Sequence, residues 1–526
     1  MVWIMLAITM VCVVIVFAIV MAQKEKGTLV KQAKSVTKDM VYENAYIVSN
    51  DDGRLIFICD GDLYRAKGTM EENFTGVCDI EISGSKVKKI QIKPDDISGV
   101  MLSYGNGTMQ IAGQGDIPMQ SDKLPVYDET GTSPKEIAVS DLIIGSETLS
   151  YILDSGRICA IVRRQAPDLT YIRVLIKNDG KDAFPTIAAA AAANLYVDDA
   201  DCGSNAIDDV GAYMANAQKS RIKVSSADNY VSINGKSYPG SFEFIGTEEG
   251  IVAVNTVDVE TYVRYVLPSE MPSTFDAEAL KAQAVCARTF VYSQMKNTQY
   301  ALYGANIDNT TAFQVYNASE TKQSTDEAVK ATAGQVVSCG GSLITCYYFS
   351  TSAGKTEDME VWSSSTPDFI HKVESVDDNS PYYRWTSELD LSAYNDPQYG
   401  TATGISVDKT SDAGYVLSLT INYGNKSQTF TAENDIRKAL GHYQKKVTLN
   451  DGSVRENMSM IPSACFSVSA GANGHYTLSG GFGHGIGFSQ YGADKLAKAG
   501  SGYKDIIGYY YKDVTVVDIS SVRSEQ

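Results

Sequence analysis

The sequence is poor in the residues from which most hydrolytic and redox sites are built. Its 526 residues include four histidines, His371, His442, His475 and His484. None falls in the H-E-x-x-H spacing of a zinc peptidase. No G-x-S-x-G elbow presents a serine nucleophile. The nine cysteines (Cys12, Cys59, Cys78, Cys159, Cys202, Cys286, Cys339, Cys346 and Cys465) contain no C-x-x-C, so neither a thioredoxin-type redox site nor a zinc knuckle is signalled. Positive charge is short too. Lys and Arg total 45 against 63 Asp and Glu, a net charge of -18, which argues against DNA or RNA as partner because phosphate binding needs basic surface. Hydrophobic content of 44% with 21% charged residues is that of folded protein, so extensive disorder is excluded. The length calls for two or three folded units.

Residues 1–22 carry no charged side chain and hold Ile4, Leu6, Val11, Val13, Val14, Ile15, Val16, Phe17, Ile19 and Val20. That is long enough for a helix to cross a bilayer. A cleaved signal peptide, with Ala18 or Ala22 before the cut, is the rival reading. The missing basic n-region and the length of the apolar run favour a retained single-pass anchor. Lys24, Lys26, Lys31, Lys34 and Lys38 follow it and run against the positive-inside rule for an extracytoplasmic protein, although large domains cross despite such charges. Residues 23–44 read as a short helical stalk.

Residues 45–165 read as a β-rich accessory domain. Runs beginning at Ala45, Leu55, Lys88 and Ile158 are apolar or alternating and are bounded by Asn-Asp-Asp-Gly, Gly-Asp and Gly-Asn-Gly turns. Residues 171–518 form a mixed α/β unit, so the fold class is α+β. Within it Ile187–Asn194 is alanine-rich and short, readable as helix or buried strand, and Asn234-Gly235 marks a hairpin. Asp258–Leu267 reads as a helix that Pro268 stops. Asp276 caps a second helix reaching about Asn297. Between them lies Pro268-Ser-Glu-Met-Pro272, a stiff loop holding Glu270. Cys286 falls within the second helix's apolar stripe and reads as core. Cys59 with Cys78, or Cys339 with Cys346, pair if the domain is extracytoplasmic; buried free thiols are the alternative.

Three segments stand out. The first runs from Val257 through the Pro268–Pro272 loop into Ala-Val-Cys-Ala-Arg-Thr-Phe290. The second is Phe349-Ser-Thr-Ser-Ala-Gly-Lys-Thr-Glu-Asp-Met-Glu-Val-Trp362. The third is Gly480-Gly-Phe-Gly-His-Gly-Ile-Gly-Phe-Ser-Gln-Tyr-Gly-Ala493. Singly each has a bland reading, as a solvated carboxylate, a capped turn and a close-packed glycine loop. In order and spacing, the three together resemble the SpoIID/LytB family of cell-wall proteins, over about Tyr171 to Asp518.

The resemblance implies a lytic transglycosylase that breaks the β-1,4 bond between N-acetylmuramic acid and N-acetylglucosamine in peptidoglycan and leaves 1,6-anhydromuramyl ends. Such chemistry needs one carboxylate, because the sugar's own hydroxyl is the nucleophile. By family correspondence that residue is Glu270, whose apolar neighbours Met271, Pro272 and Phe275 would raise its pKa. Ser350, Thr351, Ser352, Lys355 and Thr356 are candidate sugar-binding groups, as are His484, Ser489, Gln490 and Tyr491 along the glycan groove. Arg288, Glu357 and Glu360 are candidate supports, with the two glutamates orienting the site or contacting Arg288. Some members bind zinc beside a C-Q-V-Y segment. Here Ala312 and Phe313 stand where those ligands would be, so no metal and no cofactor is expected. Implied partners are peptidoglycan strands, a wall amidase and the membrane. The other role known in the family is non-catalytic, as a wall-binding enhancer of an amidase.

Overall fold

In the computed structural model the described residues are 32–522, apart from 52, 69–73, 94, 319, 363 and 472–474. The expected anchor at 1–22 and the first part of the expected stalk lie outside them. Among the described residues no helix is long and apolar enough to cross a membrane. The chain is α+β, with 44% of it in strands. Seven α-helices occur among the described residues: α1 Val210–Asn216, α2 Val259–Glu270, α3 Ala277–Ser293, α4 Gln323–Ala331, α5 Glu433–Gly441, α6 Gln490–Lys498 and α7 Tyr503–Tyr510. Two compact units share the chain. One holds the residues up to Leu175 with Val252–Val254 and Met295–Ile307, and the other holds Ile176–Ile251, Asn255–Gln294 and the remainder from Asp308.

The first unit is built on two sheets. In the six-stranded sheet the order is Lys34–Ser35, Asp62–Lys67, Arg54–Cys59, Met40–Asp51, Gly76–Ser83, Lys86–Ile92. The seven-stranded sheet is centred on Arg157–Arg163, Thr148–Asp154 and Asp95–Gly105. Tyr46, Ile58, Val77, Tyr127, Ile152 and Val162 pack together between them. Strands covered on both faces read as unbroken apolar runs; Leu55 to Cys59 is buried throughout. The helical reading of 24–44 gives way here, because Lys34–Ser35 and Met40 onward are strands. The apolar run from Ala45 to Ile47, buried at every position, outweighs the lysine-rich composition of the preceding stretch. The strand Met40–Asp51 also separates Cys59 from Cys78, since Ala45 faces Cys78 on one side and Tyr46 faces Ile58 on the other. Two strand spacings, about 9–10 Å, exceed a disulfide's reach of about 7 Å. All eight cysteines among the described residues are free thiols.

In the second unit the Asn234-Gly235 hairpin forms as the sequence predicts. Ile233 pairs with Lys236, and both turn residues take positive φ, 47° and 81°, as a type I′ turn requires. The alanine-rich run makes no helix; Ala189–Ala190 is a short strand between Ala206–Ile207 and Tyr230–Ile233. Eight residues are too few to repay helix nucleation alone. Asp258 caps α2 through the Thr261 N–H, and Asp276 caps α3 through the Glu278 N–H. Pro268 does not end α2. It falls in the last turn, where only one backbone bond is forfeited, and the helix continues to Glu270.

Residues 385–480, which the sequence reading left without elements, form a layered segment of their own. A five-stranded antiparallel sheet runs in the order Val454–Glu456, Gln444–Leu449, Trp385–Asp390, His475–Gly480, Phe466–Ala470. With a three-stranded meander over Gly404–Phe430 and α5 it encloses Trp385, Leu389, Leu419, Ile436, Leu440, Val447 and Leu478.

In the first unit the buried Arg163 faces Asp128 at 2.5 Å and Glu147 at 3.8 Å, with both carboxylate side chains at most 2% exposed. Arg163→Met would strand two buried charges, and we expect a loss of about 3–5 kcal/mol, read as a lower urea midpoint for this unit's unfolding.

Candidate active site

Glu270 closes α2 and is half-buried in the wall of a cleft of about 660 Å³. Pro268, Ser269, Met271 and Pro272 share that wall, followed by Tyr348, Phe349 and Ser350, then Phe482, Gln490 and Tyr491. The 385–480 segment adds Leu449, Arg455, Glu456 and Met458 to the lining, with Tyr382 just before it. Tyr382 lies against Phe482 and Tyr491 at ring separations of 4.8 and 6.3 Å, and Phe275 backs Tyr491 at 4.9 Å.

The carboxyl of Glu270 accepts a hydrogen bond from the Val315 N–H at 2.7 Å. Burial pushes its pKa up to about 7, against the opposing pull of that N–H and of the Tyr348 and Gln490 side chains. Its place at the C-terminal end of a helix acts in the same direction as burial, because the helix dipole is negative there. Tyr348 is itself held: its hydroxyl accepts from Gln314 Nε2 at 3.1 Å, and Gln314 also donates to the Ala287 carbonyl. Gln490 favours the ionised carboxylate, yet its buried Nε2 completes no hydrogen bond among the described residues. Tyr316 donates to Asn255 Oδ1 at 2.9 Å. The Gln314-Val315-Tyr316 segment is therefore tied down by protein groups and aims an N–H at Glu270.

Of the residues singled out in the sequence, Glu270, Ser350, Gln490 and Tyr491 come together in the cleft. The others lie behind it or away from it. Thr351, Ser352, Thr356 and Ser489 are fully buried. Thr351 bonds to Ser380 at 2.7 Å, and Thr356 accepts from the Val373 N–H at 2.8 Å. Ser352 N–H, Ser375 Oγ and Ser489 Oγ all donate to Asp377. Burial lifts the pKa of Asp377 to about 6 in spite of these donors. Lys355 sits on a short strand paired with Glu374 and does not line the cleft. Arg288 is buried and grips Glu260 with two bonds of 2.7 Å. Glu357 and Glu360 do not meet it; they bind Lys372 at 2.5 and 2.7 Å. With Asp358 they make a group compact enough to share a cation, and Lys372 already supplies the positive charge.

His484 also stands behind the cleft. Its ring lies between Phe349 and Trp362, at 5.4 and 5.0 Å. Nδ1 accepts from the Ile486 N–H, so the proton belongs on Nε2, which reaches the Tyr348 carbonyl at 3.0 Å. Burial lowers its pKa to about 4, so the ring is neutral. Gly483, Gly485 and Gly487 all have positive φ of 75–82°. A side chain on them would meet Phe349, the Tyr415 hydroxyl and the Tyr347 carbonyl respectively. The Gly-His-Gly-Ile-Gly run is thus a loop whose glycines let it press against the strand that carries Tyr348.

Sequence reasoning missed Gln314, Val315, Tyr348, Tyr382, Phe482 and the residues from the 385–480 segment. Tyr348 was legible only as the neighbour of the second motif, and Arg455, Glu456 and Met458 carry no sequence signal. Gly487→Ala would force left-handed backbone on a non-glycine residue against a carbonyl. We expect a destabilisation of about 2–3 kcal/mol in thermal or denaturant unfolding.

A family model described as the stage II sporulation protein matches residues 247–338, which take in α2, Glu270, α3 and the Gln314-Val315-Tyr316 segment. Stage II sporulation protein D of Bacillus subtilis is 32% identical over 280 residues, half of this chain and 76% of that protein. An uncharacterized protein of Brachyspira hyodysenteriae is 30% identical over 322 residues, covering 61% of this chain and 81% of its own. The amidase enhancer of Bacillus subtilis is 31% identical over 331 residues, 55% of this chain and 45% of the enhancer, so the chain spans less than half of that relative. By shared length and by the site at the centre of the match, the chain belongs to the stage II sporulation protein D family.

Proposed function

We propose that the protein is a lytic transglycosylase of bacterial peptidoglycan, with Glu270 as the single acid and base. The observation that carries this reading is a carboxyl of pKa about 7, set in the wall of a cleft faced by the rings of Tyr382, Phe482 and Tyr491. With the usual carboxyl pKa, well under one per cent would be protonated at neutral pH; at about 7, roughly half is. Protonated Glu270 gives its proton to the glycosidic oxygen as the bond from muramyl C1 breaks. The carboxylate then takes the proton of the muramyl C6 hydroxyl while that oxygen bonds to C1. No water is consumed, and the 1,6-anhydro ring results. Sugar rings suit the aromatic side of the cleft, and Ser350 and Gln490 offer hydrogen bonds to hydroxyl and acetamide groups.

In this reading the enzyme works outside the cytoplasmic membrane, held by residues 1–22, on strands from which a wall amidase removes peptides. A second reading, as a non-catalytic enhancer of such an amidase, draws on the likeness to the Bacillus subtilis amidase enhancer. The products of peptide-free glycan strands incubated with the purified protein separate these. Anhydromuramyl ends support the proposal. Ends that are reducing would point to water as nucleophile with Glu456 as a second carboxylate, and no cleavage would leave the enhancer.

Glu270→Gln is expected to lower cleavage by about 10²–10⁴-fold, the usual worth of a general acid, with strand binding retained. The acid must be protonated to act, so the rate limb governed by Glu270 falls as pH rises through about 7. Tyr348 favours the ionised form, so Tyr348→Phe should raise this pKa further and move the limb to higher pH. An unmoved or acid-shifted limb in the pH–rate profile would sink the assignment of Tyr348.

A further inference from the structure

The cleft contains one cationic side chain among the residues that line it, Arg455, on the exposed strand Val454–Glu456. The chain around it has a net charge of -18, and several of its arginines are committed to carboxylates. Arg163, Arg221, Arg264, Arg288 and Arg437 each hold one at 3.0 Å or less. Arg455 holds none at ion-pair distance among the described residues, and acts only at longer range on the exposed Asp451. It is carried by the hairpin with Gln444–Leu449, where Arg455 faces Val447 in register, while Leu449 and Met458 supply apolar lining beside it. An uncommitted guanidinium beside an apolar shelf, in the cleft that also presents Glu270, is arranged to meet an anion that arrives with the ligand.

We propose that Arg455 is a specificity-determining residue that pairs with a carboxylate of the glycan strand. This rests on the peptidoglycan reading above. In that polymer the sugar rings are neutral, and the carboxylates belong to the muramyl side arm. One source is the lactyl carboxylate, which is free where no peptide is attached. The other is the peptide itself, whose acidic residues are present where the lactyl group is amide-linked. Both offer the planar oxygen pair that a guanidinium grips with two parallel hydrogen bonds. The surrounding negative field makes one local cation more important for an anionic strand, because nothing else in the cleft wall offsets repulsion from Glu270 and Glu456.

The test is binding, measured on the full chain with Glu270→Gln so that no strand is cut. Three ligands are compared by calorimetry: amidase-stripped glycan strands, peptide-bearing strands, and N-acetylglucosamine oligomers, which have no carboxylate. Adding Arg455→Met should weaken at least one muramyl ligand by roughly 10-fold or more. It should leave the N-acetylglucosamine oligomers within about two-fold, the scale of a neutral contact. The ligand that loses affinity identifies the source: stripped strands the lactyl group, peptide-bearing strands the peptide. Higher salt should weaken the Arg455 protein and spare the Arg455→Met protein, and Arg455→Lys should restore part of the affinity. Equal losses on all three ligands, no loss on any, or no binding to begin with would overturn the assignment. Absence of cleavage by the wild type would instead count against the transglycosylase reading, which this measurement does not use.

Discussion

The site depends on keeping one carboxyl group half out of water without a cation beside it. Glu270 sits at the last residue of α2 and receives the Val315 N–H, and its nearest side-chain partners, Tyr348 and Gln490, are neutral. An arginine or lysine in their place would hold the carboxylate ionised. Neutral donors leave desolvation as the larger effect, so the group stays poised near neutrality. The strongly bound cations nearby are kept elsewhere: Arg288 on Glu260, and Lys372 on Glu357 and Glu360. These cations are paired with other carboxylates, and Glu270 is left without one.

Most of the motif residues act on that group at one remove. His484 bonds the Tyr348 carbonyl, and the positive-φ glycines Gly483 and Gly487 bring the loop against Phe349 and the Tyr347 carbonyl on either side of Tyr348. Asp377 gathers donors from the second motif, from Ser375 and from the cap of α6, whose first residues Gln490 and Tyr491 face the cleft. Short polar residues packed in series, each satisfied by the next, fix side chains more tightly than a solvated loop can. That explains why a stretch rich in serine and threonine is mostly buried here, although its composition suits sugar binding equally well.

What was legible in the sequence follows from local rules. The Asp276 cap, the Asn234-Gly235 turn and the apolar strand runs depend on neighbours within a few residues, and each is seen in the fold. The end of α2 was misplaced because a proline in the last turn forfeits one backbone hydrogen bond without ending the helix there. The pairing of Arg288 with Glu260, 28 residues apart, and the separation of Cys59 from Cys78 depend on which strand or helix lies between, and spacing alone does not carry that. Glu270 was readable through the resemblance of the three motifs taken together; the partners that set its acidity come from residues 314, 315, 348 and 490, which only the tertiary fold assembles.

The two sides of the cleft differ in origin. Pro268 to Pro272, with Glu270 among them, lie within the stretch that matches the family model, residues 247–338, while Leu449, Arg455, Glu456 and Met458 come from the 385–480 segment, beyond that match. That segment has a core of its own, so changes on its exposed hairpin need not disturb the packing that sets the acidity of Glu270. A proton-transfer group must be held to within a fraction of an ångström, whereas a recognition surface tolerates exchange of its side chains. Under the proposed function, dividing the two between separately packed parts would let ligand preference change while Glu270 stays where it is.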